Sequence, residues 1–532
     1  MDRSGALDDV LARVGAGEDP AAIRAHCLDA CADDPAWTNG LAGFAAFLDG
    51  DFVRVSDDAA AARAAATDPQ AVLLAAGVQL LAYAGDATAY VEPDPAPALV
   101  AELRAALSGL PSGGDPVTSW LRYLGVEAAL TAARLDDAAA LLATGPPPHR
   151  DWAGHAYAAM MVAVGVRVAA FTGRVSDAVA LLPELRAAAT TPRAARISEA
   201  VEHFVLGNAD LLSARNSDLP EVLVDHVDRG VCLLHAYGAI AVGDVPAAAA
   251  LVLRAGAEPD LARLSLVDRG LGLELLVVAA LAEDDLDAAL AWDAQADPIA
   301  GHPVPRPTVD RLRSRIALAT GDAPQAVLLG ERAVAGCRDG GRSIEVAESE
   351  IVLARAHLAA GDVSGASQLL RPLVAASDAS GHAAVRRSAG RTLGTAGRRL
   401  PPVAHGRWDV LTAREREVAR LVLAGNDLGQ IARALRLSTH TVRGHVSRVL
   451  TAFGVATRTG LLAAVGPLPG AAAVDLTPRQ AEVCDLVARG RSNPQIAEAL
   501  GISVKGVEKH VSDIARRWGV ASRFEIAVRR RG

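Results

Sequence analysis

The amino-acid sequence predicts an all-α protein: a helix-pair solenoid over residues 1–381, followed by two copies of one small four-helix module. Three observations predict it. The stretch from Leu411 to Ala527 carries one pattern twice, at a constant offset of 65 residues; over the 52 positions from Leu411 to Leu462, 22 are identical in the second copy, with no gap. In the preceding region a turn phrase recurs, at positions 133, 173, 243, 284, 321 and 361. Finally, apolar residues make up 51% of the chain but aromatics only 3%. Small aliphatic side chains of this kind suit closely packed helices.

At 532 residues, several domains or a repeat array are expected rather than one core. The net charge of -9 hides an asymmetry: from His382 onward there are 25 Lys and Arg against 11 Asp and Glu, and before it 28 against 51. An acidic body with a basic end directs nucleic acid to the C-terminal end alone. The five cysteines, scattered and odd in number, fit a reducing compartment without a disulfide framework. His26, Cys27 and Cys31 are read as small buried residues of one helix rather than a metal site, since no second ligand pair follows. The start, Met1-Asp2-Arg3-Ser4, lacks the apolar run of a signal peptide, and no apolar stretch reaches membrane-spanning length. A cytoplasmic protein without membrane contact is therefore expected. Lys505 and Lys509 are the only lysines, so a Gly-x-x-x-x-Gly-Lys phosphate loop is impossible. With no metal-ligand spacing and no nucleophile motif either, neither an enzyme nor a cofactor is expected.

In chain order, the solenoid phrase is a small-residue turn, then Ala five positions on and an apolar residue eight positions on. It occurs at Gly173 with Ala178 and Leu181, Gly243 with Ala248 and Leu251, Gly321 with Ala326 and Leu329, and Gly361 with Ala366 and Leu369. Ala133 with Ala138 and Leu141, and Asp284 with Ala289 and Trp292, follow it without the glycine. The one long interval leaves room for a degenerate unit near Gly207. Gly50-Asp51 and Gly85-Asp86 read as turns of earlier units. Glycine ends one helix in the left-handed conformation, the Asp that often follows caps the next, and Ala at the packing position lets two helices approach. Helix pairs cannot bury their apolar faces alone, so they must stack. The pattern resembles tetratricopeptide repeats, with a period longer than the usual unit of roughly 34 residues. Pro-rich loops interrupt it at 92–97, 146–148 and 298–307. Residues 382–408 are read as a basic helix and linker, 409–465 as the first module, 466–475 as a linker and 476–532 as the second module.

Capping signals divide each module into four helices. Thr412 with Glu415, and Thr477 with Gln480, have capping-box spacing. Asp427 and Ser492 start the second helix, Ser438 and Ser503 the third, Thr457 and Ser522 the fourth. A short turn between the second and third helices makes a helix-turn-helix. The third helix has one apolar face, Val442, Val446, Val449 and Phe453, matched by Val507, Val511, Ile514 and Trp518. Its opposite face presents Thr439, His440, Arg443, Gly444 and Ser447. In the second copy that face presents Val504, Lys505, Glu508, Lys509 and Ser512. Such a helix enters the major groove of double-stranded DNA and reads base edges. Arg443 suits guanine; Glu508 either accepts from cytosine or orients a neighbouring lysine. His445, Arg448, Arg458, His510, Arg516 and Arg523 are candidates for phosphate contact. For the two histidines a packed or capping role is an equal alternative, and for Arg458 and Arg523 so is a carboxylate within the module.

The phrase Leu-Thr-x-Arg-(Glu/Gln)-x-Glu-Val, then Ile-Ala-x-Ala-Leu, Val-x-x-His-Val and Gly-Val-Ala-x-Arg resembles the LuxR-type (LuxR/GerE) DNA-binding domain, from Leu411 to Leu462 and again from Leu476 to Ala527. The resemblance implies a four-helix domain, transcriptional regulation, a reading head on the third helix and dimerisation through the fourth. The chain departs from the pattern at Asp427-Leu428-Gly429 in the first copy and at Gly506 and Glu508 in the second. A LuxR-type tail behind helical repeats also resembles the C-terminal half of the large ATP-binding LuxR-type regulators, without their NTPase module. The expected function is a sequence-specific transcription regulator. Two heads would read non-identical half-sites under control of a protein, peptide or small-molecule effector on the repeats. The rival from another class is a protein-interaction scaffold whose heads no longer read DNA.

Overall fold

The computed structural model describes residues 2–30, 32–90, 92–110, 114–212, 219–257, 260–395, 411–423, 426, 428–452, 461, 478–488, 493–518 and 526. Among them every regular element is helical; none is a strand. The chain forms two compact units, Met1–Leu400 and Pro401–Gly532.

The first unit runs α1 (Arg3–Ala16), α2 (Pro20–Ala30), α3 (Pro35–Asp49), α4 (Phe52–Ala65), α5 (Pro69–Gly85), α6 (Ala96–Ser108), α7 (Pro116–Thr131), α8 (Leu135–Leu142), α9 (Ala158–Phe171) and α10 (Val175–Ala188). It continues with α11 (Pro192–Asn208), α12 (His226–Val242), α13 (Val245–Gly256), α14 (Leu266–Ala282), α15 (Leu286–Ala294), α16 (Arg306–Ala319), α17 (Ala323–Asp339), α18 (Ser343–Ala359), α19 (Val363–Ser380) and α20 (Ala383–Thr395).

The turn phrase has a direct structural counterpart. Residues 133, 173, 243, 284, 321 and 361 all have φ between 57° and 89°, the left-handed region. Ala133 and Asp284 adopt it without being glycine, which costs roughly 1 kcal/mol each. The alanines five positions on, from Ala138 to Ala366, are all buried. Where Asp follows the turn it caps the next helix: Asp244 accepts from Ala247 N, Asp322 from Gln325 N and Asp362 from Gly365 N. Near the long interval, Gly207 lies inside α11 and the left-handed residue is Asp210 (φ 56°).

The array winds tightly enough for successive turns to touch. Helix α3 packs on α12, α5 on α14 and α11 on α20, so about nine helices complete one superhelical turn. Between α8 and α17 the same offset appears at the corners, where Leu135 N donates to Gly340 O at 2.9 Å. The last helix is bound to the middle of the array. His382 Nε2 lies 2.9 Å from Asn208 Oδ1. Arg387 donates to Ala241 O at 2.5 Å and pairs with Asp210 at 2.5 Å. Arg386 is buried and pairs with Asp378. The basic residues at the start of α20 thus belong to the first unit's own ion pairs. The helices of the array line a cavity of about 470 Å³ that is partly open to solvent.

The second unit carries α21 (Ala413–Leu423), α22 (Leu428–Leu435) and α23 (Thr439–Ala452), then α24 (Pro478–Ala488), α25 (Asn493–Leu500) and α26 (Val504–Trp518). Val418, Val422, Ile431, Val442 and Val449 are buried in the first copy; Val483, Val487, Ile496, Val507 and Ile514 hold the same 65-offset positions and are buried in the second. Leu461 and Ile526, also 65 apart, are buried and helical in the stretches assigned to the fourth helices.

Candidate nucleic-acid interface

In the first copy the approach to α23 is set by a left-handed residue, Arg436 (φ 52°), and by the Ser438 hydroxyl, which accepts from Thr441 N at 3.0 Å. The second copy has Gly501 (φ 62°) and Ser503, whose hydroxyl accepts from Gly506 N at 3.1 Å. The left-handed residue reverses the chain between two helices, and the serine satisfies an N–H that the first helical turn leaves open.

The two faces of the third helix separate as the sequence pattern requires. Val442, Val446 and Val449 are buried; Thr439, His440, Arg443 and Ser447 are exposed, and Gly444 is half-buried. In α26, Val507 and Ile514 are buried and Val511 half-buried, while Val504, Lys505, Glu508, Lys509 and Ser512 are exposed. Each third helix thus presents a solvated polar face over an apolar anchor. The side chains of Phe453, Trp518 and Arg516, together with Arg458 and Arg523, lie outside the described residues, as do the caps assigned to Asp427, Thr457, Thr477, Ser492 and Ser522.

The capping box of the first copy is formed in full. Thr412 N donates to Glu415 Oε2 at 2.9 Å, and Glu415 N donates to Thr412 Oγ1 at 3.3 Å. The same carboxylate reaches the third helix, where Arg448 Nε donates to it and Arg448 Nη2 lies 2.8 Å from His445 Nδ1. The Thr412 backbone N–H and then the Arg448 guanidinium hold the Glu415 carboxyl down to about 2. Arg448 remains 60% exposed despite this pairing, and His445 is half-buried beside it. In the second copy the corresponding residues are Gln480, Asp513 and His510, so this ion pair has no equivalent of the same sign.

A further element was not evident in the sequence pattern. Arg414 Nη2 donates to Leu435 O at 2.6 Å and Nη1 to Glu417 Oε2 at 2.6 Å. Arg479 does the same with Leu500 O at 2.5 Å and Glu482 at 2.6 Å. In both copies an arginine of the first helix caps the second at the carbonyl preceding the left-handed turn. The signal was present in the repeated Arg-x-x-Glu spacing, but its partner carbonyl lies at the far end of the following helix and carries no sequence signature.

The comparisons agree with this geometry. Residues 409–465 and 474–529 each match the family described as "Bacterial regulatory proteins, luxR family". A relative, the response regulator Rre1 of Synechocystis sp., is 43% identical over 58 residues. That likeness covers 11% of this chain and 25% of the relative. The chain therefore shares a quarter of that protein's length: one domain.

Proposed function

We propose, from a C-terminal unit whose two modules are of the luxR regulatory type, that the chain is a sequence-specific transcription regulator with two unequal reading heads. The observation that carries this reading is the exposed polar face of α23 over its buried valines, with Arg443 at its centre. A bidentate arginine at such a position discriminates guanine by about 1–3 kcal/mol. On α26 the exposed set is Lys505, Glu508 and Lys509, a different chemical alphabet, so the two heads suit non-identical half-sites. The linker 466–475 spans about 33 Å when extended. One turn of DNA is roughly 34 Å, so adjacent half-sites are within reach. A linked pair also gains from effective concentration.

In this reading the helical array sets when the heads bind, through an effector held by the first unit, and it acts in the cytoplasm. The array's last helix, α20, leads into the segment that joins the two units. A second copy of the chain, dimerising through the fourth helices, would double the number of heads. Footprinting on a selected site tests the pairing: two protected half-sites of different sequence, about one helical turn apart, are expected. Protection of a perfect palindrome by residues 408–532 alone overturns it. Gel shifts across salt concentrations address the rival scaffold reading; lack of retardation even at low salt would favour it.

A further inference from the structure

The cavity lined by the array has the size of a small-molecule site, and its wall is chemically unlike the rest of the chain. Four of the chain's seven Phe and three of its five Tyr line it. Phe171 and Phe204 lie with ring centres 4.9 Å apart, and Tyr123 meets Tyr157 edge-on at 5.5 Å. In a protein with 3% aromatics, this concentration provides a large apolar surface at one place.

Most charged groups of the wall satisfy one another. Glu127 holds Arg167 through bonds of 3.1 and 2.8 Å. Glu274 accepts from Arg311 Nε at 2.8 Å and from Arg315 at 2.9 Å. Arg355 on α18 differs. Its Nε reaches the Thr392 hydroxyl at 3.4 Å, and among the described residues it has no carboxylate partner. Its charged neighbours are Arg315, Arg391 and Glu348, and Glu348 is already 3.6 Å from Arg315. Arg355 lines the cavity and is solvent-exposed, so a ligand entering from solvent meets its guanidinium. A cation without a carboxylate partner gains from an anion that arrives with its ligand. The aromatic and cationic parts of the wall are contiguous: α11 and α12, carrying Phe204 and Tyr237, both pack on α20, and α20 packs on α18.

We infer that this cavity binds a small amphipathic anion, an apolar aromatic body carrying one oxyanion head, with the body among the phenyl and phenol rings and the head on Arg355. The inference rests on the effector reading above and names the chemistry of the effector. Since Val385 and Ser388 of α20, and His382 just before it, also line the cavity, an occupant bears directly on that helix.

Two fluorescent probes test the site on the full-length chain: 8-anilino-1-naphthalenesulfonate, and N-phenyl-1-naphthylamine, which has the same body without the charge. The wild-type chain should bind the sulfonate at least about tenfold more tightly. Arg355→Gln should erase that preference while leaving the uncharged probe bound, which also shows that the variant is folded. Gly230 of α12 lines the cavity, and a Cβ there meets nothing within 4 Å, so Gly230→Phe should fill the space and exclude both probes. The site is overturned by equal binding of the two probes to the wild type, by a preference that survives Arg355→Gln, or by wild-type binding in Gly230→Phe. Failure of both probes to bind overturns it equally. A gel shift with saturating sulfonate separates the two claims: unchanged DNA affinity leaves the site standing and removes the effector reading.

Discussion

The two modules of the C-terminal unit share a frame and differ in what they display on it. The arginine that caps the second helix, the left-handed turn and the serine at the start of the third helix recur 65 positions apart with nearly the same geometry. Most of the third helix's outward side chains do not recur, nor does the Glu415–Arg448 pair that bridges the first and third helices. The third helix of the first copy has His440, Arg443, His445 and Arg448 and no acidic residue between 439 and 452; the second interleaves Glu508 and Asp513 with its basic residues. Selection on a fold acts on groups whose partners are fixed by the backbone, while solvated positions are free to take on a new role. The lesson is that equivalence of cores and caps does not extend to equivalence of electrostatic surface.

That contrast can be broken by substitution. The largest effect is expected for Arg443→Ala, a loss of about 2 kcal/mol in DNA affinity, confined to one half-site. Quantitative footprinting checks it, and equal loss at both half-sites would remove the asymmetry. Next, Glu415→Gln gives the first copy the residue of the second. The folded carboxyl sits near 2, below its ordinary value, so its contribution is present above about pH 4.5 and is lost as pH falls towards 2. The substitution should cost about 1.5 kcal/mol at pH 7 and abolish that pH dependence. Hydrogen exchange of the α21 amides in the full chain, measured from pH 7 to 3, reports it; α24, which has Gln480, should show no such step from this position.

Smaller effects probe the shared frame. Arg414→Met and Arg479→Met should each destabilise their own copy by about 1 kcal/mol, by leaving a helix-terminal carbonyl without its donor. Unequal costs in denaturant titrations followed by exchange would show that the frames are less alike than their geometry. The smallest change is expected for one of two substitutions at the turn. Arg436→Gly should stabilise the first copy by about 0.5 kcal/mol, because glycine takes φ near 52° without strain. Gly501→Ala should destabilise the second by about 1 kcal/mol; a Cβ there meets nothing within 4 Å, so the cost is conformational alone.

Local periodicity carried much of this architecture. The turn phrase located six left-handed residues and six buried alanines because both depend on neighbours within one helix pair. The third-helix faces were legible for the same reason: a spacing of three and four places Val442, Val446 and Val449 on one side. What the sequence did not reveal involves partners far apart in the chain. Arg387 reads as part of a basic stretch, yet it meets Asp210 in the middle of the array. The cavity was hidden likewise, since its rings come from helices spread between positions 35 and 242 and the arginine that lacks a carboxylate comes from α18.

The stacking of one superhelical turn on the next also bears on how the chain folds. An open array of helix pairs has a stability that adds up from neighbour to neighbour, and it can fray from either end. Here the bonds from His382 to Asn208 and from Arg387 to Ala241 span 174 and 146 residues of sequence. Contacts of that range raise contact order, and they form only after the loop-closing entropy has been met. On a ribosome the clasp between α11 and α20 must wait until residue 395 has emerged, and it can then close while the segment bearing the heads is still being completed.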